Sequence, residues 1–588
     1  MTWAVAGTCI VLGTISWLGI KASEFKAEMD AVAGLIPQLK ADFLGDDPLA
    51  ATTTVDQLKV HTSAARRVTK DPLWIAATAV PWLGANFQAA SEVAMSAEDV
   101  IGLGVAPLVT TYQSLDWKSL LPSDAGVDLM GMASAGAQLN STAHALRTSS
   151  ERLNNIDETG LLPQVSGPLV LAREQLSSAT DTLGTVANTA NLVPDMMGAD
   201  SPRRYLLLIQ NNAEARTTGG IPGALAVLTV DKGKLSLDKQ TSATEMGIFS
   251  PGMPVDSEQE QVYTRRLGKY MQDVNLTPDF PTSASTAESM WATRTDEHVD
   301  GVISIDPVAL SYILEATGPV SLPALDTRPR RVGLPTELTA TNVVPTLLSD
   351  VYAEIAEPHL QDAYFSLVAQ EIFSAVSAGK GGTKDLLDGL IRGVDEHRIL
   401  LWSAKSDEQS LIALYPVSGS IAGPSVPPAQ FGVYFNDGTG AKMDYYVKRT
   451  VQLVGSCTGD DYSEVKVKVT STNVAPLDAA SALPAYVTGG GVHGVPAGSV
   501  QTNVIAYGPV QANVETAHVN GQKSDFAAQR HANRPVGTVT VTLAPGQSST
   551  VELTFGKIVQ HAEPNLVVTP SVQPVKDVVL ATENAACN

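Results

Sequence analysis

Along most of this chain the spacing of apolar and polar residues changes in blocks, and each block predicts a different architecture. Residues 23–200 place apolar side chains three and four apart, as in Glu92 to Val100 and Gly136 to Leu153, the period of amphipathic helices in a bundle or stalk. Two proline-containing segments interrupt it, Asp71-Pro72-Leu73-Trp74 and Val80-Pro81-Trp82-Leu83-Gly84. They mark breaks between helices, and the two tryptophans are read as core residues. Between 201 and 433, apolar runs of strand length (205–209, 224–230, 234–237, 301–305) alternate with helical stretches (286–291, 307–317, 363–378), the pattern of an α/β domain. Asp306 before Pro307 is an N-cap followed by proline at the first helical position, and Gly318-Pro319 closes that helix. From 434 to 588 polar and apolar residues alternate strictly in 464–469, 538–543 and 550–555, separated by turns such as Ala544-Pro545-Gly546-Gln547. Short strands so punctuated predict a β-sandwich.

The first 22 residues stand apart. Trp3 to Ile20 is nearly uninterrupted apolar sequence, followed by Lys21, Glu24 and Lys26. Its length of about 18 residues is at the short end for a membrane span and long for a signal-peptide core. The preferred reading is a transmembrane anchor over 1–22, with a cleaved signal peptide as the alternative. The fold class predicted is therefore a multidomain α+β chain: an N-terminal membrane helix, a helical membrane-proximal region, a central α/β domain and a C-terminal β-sandwich.

Composition narrows the function. The chain has 588 residues, 44% hydrophobic and 17% charged, with a net charge of -22. That is globular and strongly acidic, which excludes a general nucleic-acid binder, since phosphate binding needs a basic face. Of the three cysteines, Cys457 and Cys587 fall in the β-rich part; outside the cytoplasm they could form a disulfide pinning the chain end, with two unrelated thiols as the other reading. No CxxC pair or histidine cluster suggests zinc, and no Walker or GxSxG motif occurs.

The candidate site is the segment from Arg203 to Gly220. Tyr205 to Ile209 is a continuous apolar run suited to a strand covered on both faces. It leads into Asn211, Asn212, Glu214, Arg216, Gly219 and Gly220, read as a polar, glycine-punctuated loop placed where open α/β sheets bind ligands. Arg216 and the amides of Gly219 and Gly220 could hold an anion. Arg265, Arg266 and Lys269 form a local basic cluster that either joins this pocket or is a solvated helix face. Glu214, Asp279 and Asp300 are the candidate acids, with Glu214 also suited to fixing Arg216.

These residues resemble a known family. Arg204-Tyr205-Leu206-Leu207-Leu208 leading to Arg216 and Gly219-Gly220, Asp300 to Asp306 with Ala316-Thr317-Gly318-Pro319-Val320, and the two proline-tryptophan segments are similar to the domain-of-unknown-function 4012 family of actinobacterial envelope proteins. The order of these elements more distantly resembles the LytR-CpsA-Psr family. That resemblance implies an extracytoplasmic α/β domain at the cell membrane. It also implies handling of glycopolymer on a polyprenyl-pyrophosphate carrier, arginines gripping the pyrophosphate, an assisting aspartate and magnesium, with the cell-wall polymer as acceptor. Only Arg216 of the family's Arg-x-Asp-Thr motif carries over, because Thr218 stands where the aspartate would be. Two readings follow: a protein that binds, with or without transferring, a lipid-linked glycopolymer, or a non-catalytic envelope scaffold that meets protein partners through the sandwich and helical region.

Overall fold

The computed structural model describes residues 2–44, 48–114, 126–322, 333–456 and 463–583. Cys457 and Cys587 lie outside the described residues. The chain divides into two compact units, one of residues 1–120 with 128–199 and one of 121–127 with 200–588.

The first unit is helical, as its periodicity predicts: α1 (Thr2–Leu44), α2 (Pro48–Thr69), α3 (Pro72–Ala77), α4 (Gly84–Asp99), a π-helical turn (Val100–Val105), α5 (Ala106–Ser114), α6 (Leu129–Asn154) and α7 (Pro163–Met196). The helix α1 spans 43 residues and passes residue 22 without a break. Among the described residues, the stretch Gly84–Thr110 is apolar and long enough to cross a membrane by length and composition. Its acidic groups are nevertheless engaged within the bundle, Asp99 with Arg152 at 2.8 Å and Glu98 with Arg66 at 4.0 Å. Trp74 is core as expected, its Nε1 donating to the Phe87 carbonyl at 3.1 Å. Trp82 is not: 94% of it is exposed, because the chain turns there with a left-handed backbone that points the indole away from the bundle.

The second unit begins with a five-stranded sheet of order β3-β2-β1-β4-β7, built from β1 (Arg203–Arg216), β2 (Gly219–Asp231), β3 (Lys234–Ser242), β4 (Gly301–Ile305) and β7 (Leu400–Ser403). β1 and β4 pair in parallel and the other neighbours are antiparallel. Between β3 and β4 run α8 (Ser257–Tyr263) and α9 (Phe280–Thr295). After β4 come α10 (Pro307–Thr317), a small hairpin of β5 (Val320–Ser321) and β6 (Glu337–Leu338), then α11 (Val343–Pro345), α12 (Val351–Glu354), α13 (Pro358–Ser377) and α14 (Thr383–Asp395), with α15 (Ser406–Ile412) following β7. Asp306 caps α10 as predicted, accepting from the Ala309 amide at 2.8 Å.

Because strand side chains alternate between faces, β1 serves two layers. Leu206 and Leu208 pack with Val302 of β4 against Phe280, Ala284, Ala287 and Trp291 of α9. Leu207 and Ile209, with Ile303 and Ile305, face the opposite way, toward α10 and α13.

One expectation is corrected here. The polar stretch after Ile209 is not a loop: β1 continues to Arg216, and a two-residue turn at Thr217-Thr218 leads directly into β2. Polar composition suggested solvent, but Gln210 and Asn212 are buried and bonded to partners distant in sequence. Gln210 donates to Ser304 and Thr218, and Asn212 donates to Asp306 at 3.0 Å. Buried polar side chains so satisfied can continue a strand.

The C-terminal strands form two further five-stranded sheets, of orders β13-β12-β16-β10-β9 and β14-β15-β11-β8-β17. They comprise β8 (Gln430–Asp437), β9 (Val447–Ser456), β10 (Ser463–Asn473), β11 (Val500–Tyr507), β12 (Asn513–Val519), β13 (Gln522–Ser524), β14 (Ala527–His531), β15 (Arg534–Leu543), β16 (Ser548–Ile558) and β17 (Asn565–Val568). Both sheets feed one core, in which Phe431 of β8 meets Phe555 of β16 edge to face at 5.7 Å between centroids. That core also takes in Ala215 of β1.

Candidate ligand-binding site

The inner face of the first sheet encloses a cavity of about 610 Å³. Its body is apolar: Leu207, Ile209, Ile303 and Ile305 on the sheet, and Leu310, Phe365, Val368, Ile372 and Val376 from α10 and α13. Its remaining wall is polar and charged, with Gln210, Asn211, Glu214, Arg216, Arg266, Asp273, Tyr352 and Lys442. A cavity of this size is typical of small-molecule sites, which run to about 300–1,000 Å³.

The charged residues form one linked array. Arg216 Nη2 lies 3.2 Å from Glu214 Oε1 and 3.4 Å from Asp273 Oδ1. Glu214 Oε2 pairs with Lys442 Nζ at 3.2 Å, and Asp273 Oδ2 pairs with Arg266 Nη2 at 2.8 Å. Lys442 also sits against the rings of Tyr352 and Tyr486, at 5.4 and 5.3 Å from their centroids, which supports a cation in a dry setting. Burial works against the charged forms of Arg216 and Lys442, but their carboxylate neighbours outweigh it and both pKa values are raised. Burial likewise pushes the Glu214 carboxyl up, and the charges of Lys442 and Arg216 more than reverse this, holding it below the usual range.

The array is therefore three cations against two carboxylates. Behind it, Asp444 is occupied by Arg449 at 2.5 Å and by the Ala215 amide at 3.0 Å. Burial first, and then the charges of Asp444 and Glu214, raise Asp437 to about 7. The Nε of Arg216 is buried without a hydrogen-bond partner in the protein, so its guanidinium is held through Nη1, which donates to the Ala215 carbonyl, and Nη2, which faces the two carboxylates.

The structure distributes the sequence candidates unequally. Arg216, Glu214 and Asn211 line the cavity, and Asn211 donates to the Tyr352 hydroxyl. Asn212 does not; it turns to Asp306. Gly219 and Gly220 are buried at the start of β2 and do not line the cavity, and the Gly220 amide is taken, donating to Gln210 Oε1 at 2.7 Å. They are glycines because a Cβ on Gly220 would stand 2.1 Å from the Asn211 backbone, and one on Gly219 2.6 Å from Gln210 Oε1. The basic cluster splits. Arg266 reaches the cavity, whereas Arg265 is 83% exposed and paired with Glu260 at 2.6 Å, and Lys269 lines a shallow surface hollow with it.

Asp279 and Asp300 do not act as site acids. Asp279 caps α9 through Thr282, and Asp300 accepts from the Arg204 amide at 2.9 Å. Thr218 is buried, accepting from Asn275 at 2.9 Å, and lines a smaller cavity of about 290 Å³ instead. Sequence reasoning missed Asp273, Tyr352 and Lys442, which come from separate elements and belong to no local motif.

Among the described residues no group of three or more His, Cys, Asp or Glu could hold a metal ion. Glu214 and Asp273 are each shared by two cationic side chains, so the donor set does not fit magnesium.

The second unit is thus an α+β assembly in which a mixed sheet walls an apolar cavity with a charged edge. Residues 200–352 match the family model described as a protein of unknown function (DUF4012). The matched segment carries β1 through Tyr352, including Arg216, Arg266 and Asp273; α13, Lys442 and the two proline-tryptophan segments lie beyond it. No curated protein matches the chain. A solved structure described as a nutrient binding protein from Legionella pneumophila aligns at 7% identity, over 22% of this chain and 42% of its own, with a TM-score of 0.14; that likeness carries no argument.

Proposed function

We propose that this chain is a membrane-anchored, extracytoplasmic cell-envelope protein whose cavity binds a polyprenyl-phosphate-type lipid carrying a glycan. The observation that carries the reading is the union, in one cavity, of a long apolar wall between the sheet and α13 with a cluster of three cations at its edge. An amphiphile needs both: burial of its chain supplies roughly 25 cal/mol per Å² of apolar surface, and the cations select an anionic head. The paired carboxylates keep the cavity near neutral, which limits the cost of burying the Arg216 and Lys442 charges. The anchor reading rests on the apolar run Trp3–Ile20.

Binding is favoured over turnover because Thr218, at the position where the resembled family has its aspartate, is buried outside this cavity. Glu214 and Asp273 are committed to holding cations.

The test is mass spectrometry of lipid retained by the full chain extracted gently from its native membrane, followed by titration with a polyprenyl phosphate. Retention of a phosphorylated isoprenoid, and a loss of affinity of about tenfold or more in Arg216→Ala from the removed charge-assisted contact, is the expected result. Absence of any co-purifying lipid, with no saturable binding by the parent, would refute it.

A further inference from the structure

The helical unit displays an apolar feature that its own core does not use. Between Asp71 and Gly84 the sequence holds no charged residue. In the structure this segment is α3 followed by a closed turn, and only Trp74 and Ala77 within it point into the bundle. Leu73, Ile75, Val80, Trp82 and Leu83 are exposed, by 37, 57, 45, 94 and 49%. Scattered exposed leucines need no explanation, but large apolar residues exposed at 73, 75, 80, 82 and 83, within one short segment, point to an interaction surface.

The presentation is built, not incidental. Trp82 is held with φ at +66°, a left-handed conformation that bulky residues rarely adopt. The turn behind it is closed by the Gly84 amide donating to the Val80 carbonyl at 2.8 Å. It closes only because residue 84 is glycine: a Cβ there would lie 2.1 Å from the Thr78 carbonyl oxygen. Strain maintained around an exposed tryptophan points from structure to use.

Its position says what covers it. Trp74, the inward anchor of the segment, packs on Phe25 of α1 with centroids 5.8 Å apart. Phe25 lies only about 7.5 Å along the helix axis beyond Ile20, the last residue of the apolar run, while each headgroup layer of a bilayer is about 5–8 Å thick. Trp17 and Lys21 on α1, with the ammonium 5.3 Å from the ring centroid, form an interfacial pair at that level. Tryptophans favour this zone because one side of the ring is apolar and the other wet. Arg67 and Lys70, exposed just before Asp71, are suited to anionic headgroups.

We infer that residues 71–84 form a wedge that sits in the lipid headgroup layer beside the N-terminal anchor, with Trp82 and Leu83 at its tip. The wedge gives the helical unit a second point of membrane contact and so restrains its tilt about α1. This inference rests on the reading of 1–22 as a membrane anchor.

The experiment uses the full chain reconstituted in phosphatidylcholine/phosphatidylglycerol vesicles, with acyl chains either ordinary or brominated at carbons 6 and 7, to quench tryptophan by contact. Parent, Trp82→Phe and the double variant Trp3→Phe/Trp17→Phe are compared, with circular dichroism confirming equal helicity. The expected result is that bromination removes most of the Trp82 emission, read as the difference between parent and Trp82→Phe. If the anchor tryptophans are quenched but that difference is not, the wedge is refuted and the anchor stands. If bromination changes neither the parent minus double-variant difference nor the parent minus Trp82→Phe difference, the anchor reading fails and the wedge falls with it. Self-association that shields Trp82 from aqueous iodide without any effect of bromination would identify a second copy as the occupant and also overturn the inference.

Discussion

Asp306 permits a quantitative test of how the sheet edge is held. One carboxylate performs three tasks: it accepts from the Ala309 amide at 2.8 Å as the N-cap of α10, it pairs with Arg398 at 2.8 Å, and it accepts from Asn212 at 3.0 Å. Asp306 and Arg398 are both essentially buried. Breaking a buried pair by removing one partner costs about 3–5 kcal/mol, chiefly because the remaining charge is stranded. Here Arg398 keeps Glu396 at 2.7 Å, which places the cost near the lower figure. Loss of the cap adds about 1 kcal/mol. Asp306→Ala is therefore expected to lose about 4 kcal/mol. Asp306→Asn keeps an acceptor oxygen for the cap and loses the charge, and is expected to lose about 3 kcal/mol. The assay is urea unfolding of the full chain followed by the buried tryptophans, with hydrogen exchange of the α10 amides as a local readout. The cap contribution is the difference between the variants, and the pair contribution is the loss in Asp306→Asn. If Asp306→Asn is as stable as the parent within 0.5 kcal/mol, which is about the spread of ordinary surface substitutions, the ion pair contributes nothing and the reasoning fails.

Three further outcomes follow from the cavity. Ala369→Trp on α13, where the cavity wall leaves room, should fill the apolar body and abolish retention of lipid in mass spectrometry while changing stability by less than about 1–3 kcal/mol, the usual range of overpacking; undiminished lipid retention would place the chain elsewhere. Asp437, raised to about 7 in the folded protein, would titrate near 3.9 when unfolded. The folded state therefore holds the extra proton in that window, and stability should fall as pH rises from about 4 to about 7 and then level off. Asp437→Asn should flatten that component in unfolding midpoints measured across the window, and an unchanged slope would assign it to other groups. The same titration adds a negative charge behind Arg216, so affinity for a phosphate head should weaken as pH passes through about 7 in the parent and not in Asp437→Asn.

Local signals in the sequence located the elements well where one element decides its own fate. The cap and proline at Asp306-Pro307 with Gly318 bound α10 at 307–317, as predicted, and the alternation in 464–469, 538–543 and 550–555 falls inside β10, β15 and β16. The reading failed where tertiary partners override composition. Asn211, Asn212 and Glu214 read as a solvent loop because their partners Tyr352, Asp306 and Lys442 stand about 90 to 230 residues away in sequence, and side-chain polarity alone carries no record of such pairing. Arg216 was legible because it stands in a recognisable motif. Lys442 and Asp273 were not, since each is one charged residue among many until the fold brings it to Glu214 or Arg216. The glycine pair was noticed for the right property and given the wrong use: Gly219 and Gly220 supply absence of a side chain in a crowded turn.

What makes the cavity both apolar and charged is a change of parity within β1. Its pairing with β2 is regular from Arg203 to Ile209, so that Leu207 and Ile209 face the cavity while Leu206 and Leu208 face α9. Strict alternation would continue with Asn211, Ala213 and Ala215 on the cavity side. The register shifts at Ile209/Gln210, where the extra residue is Gly223 of β2, and again between Asn211 and Ala215, where Asn212, Ala213 and Glu214 of β1 have no partner on β2; an odd number of extra residues on β1 exchanges its two faces for everything beyond them. Ala213 and Ala215 are buried away from the cavity, Ala215 within the sandwich core, and Glu214 and Arg216 join Leu207 and Ile209 in the cavity wall. One strand thereby presents an apolar surface along its first half and an ion-paired cation at its end on the same side, while the small alanines let the sandwich approach closely on the other. The bulged segment is thus the structural origin of the amphiphilic site, and it also explains why uniform alternation could not be read from Gln210 onward.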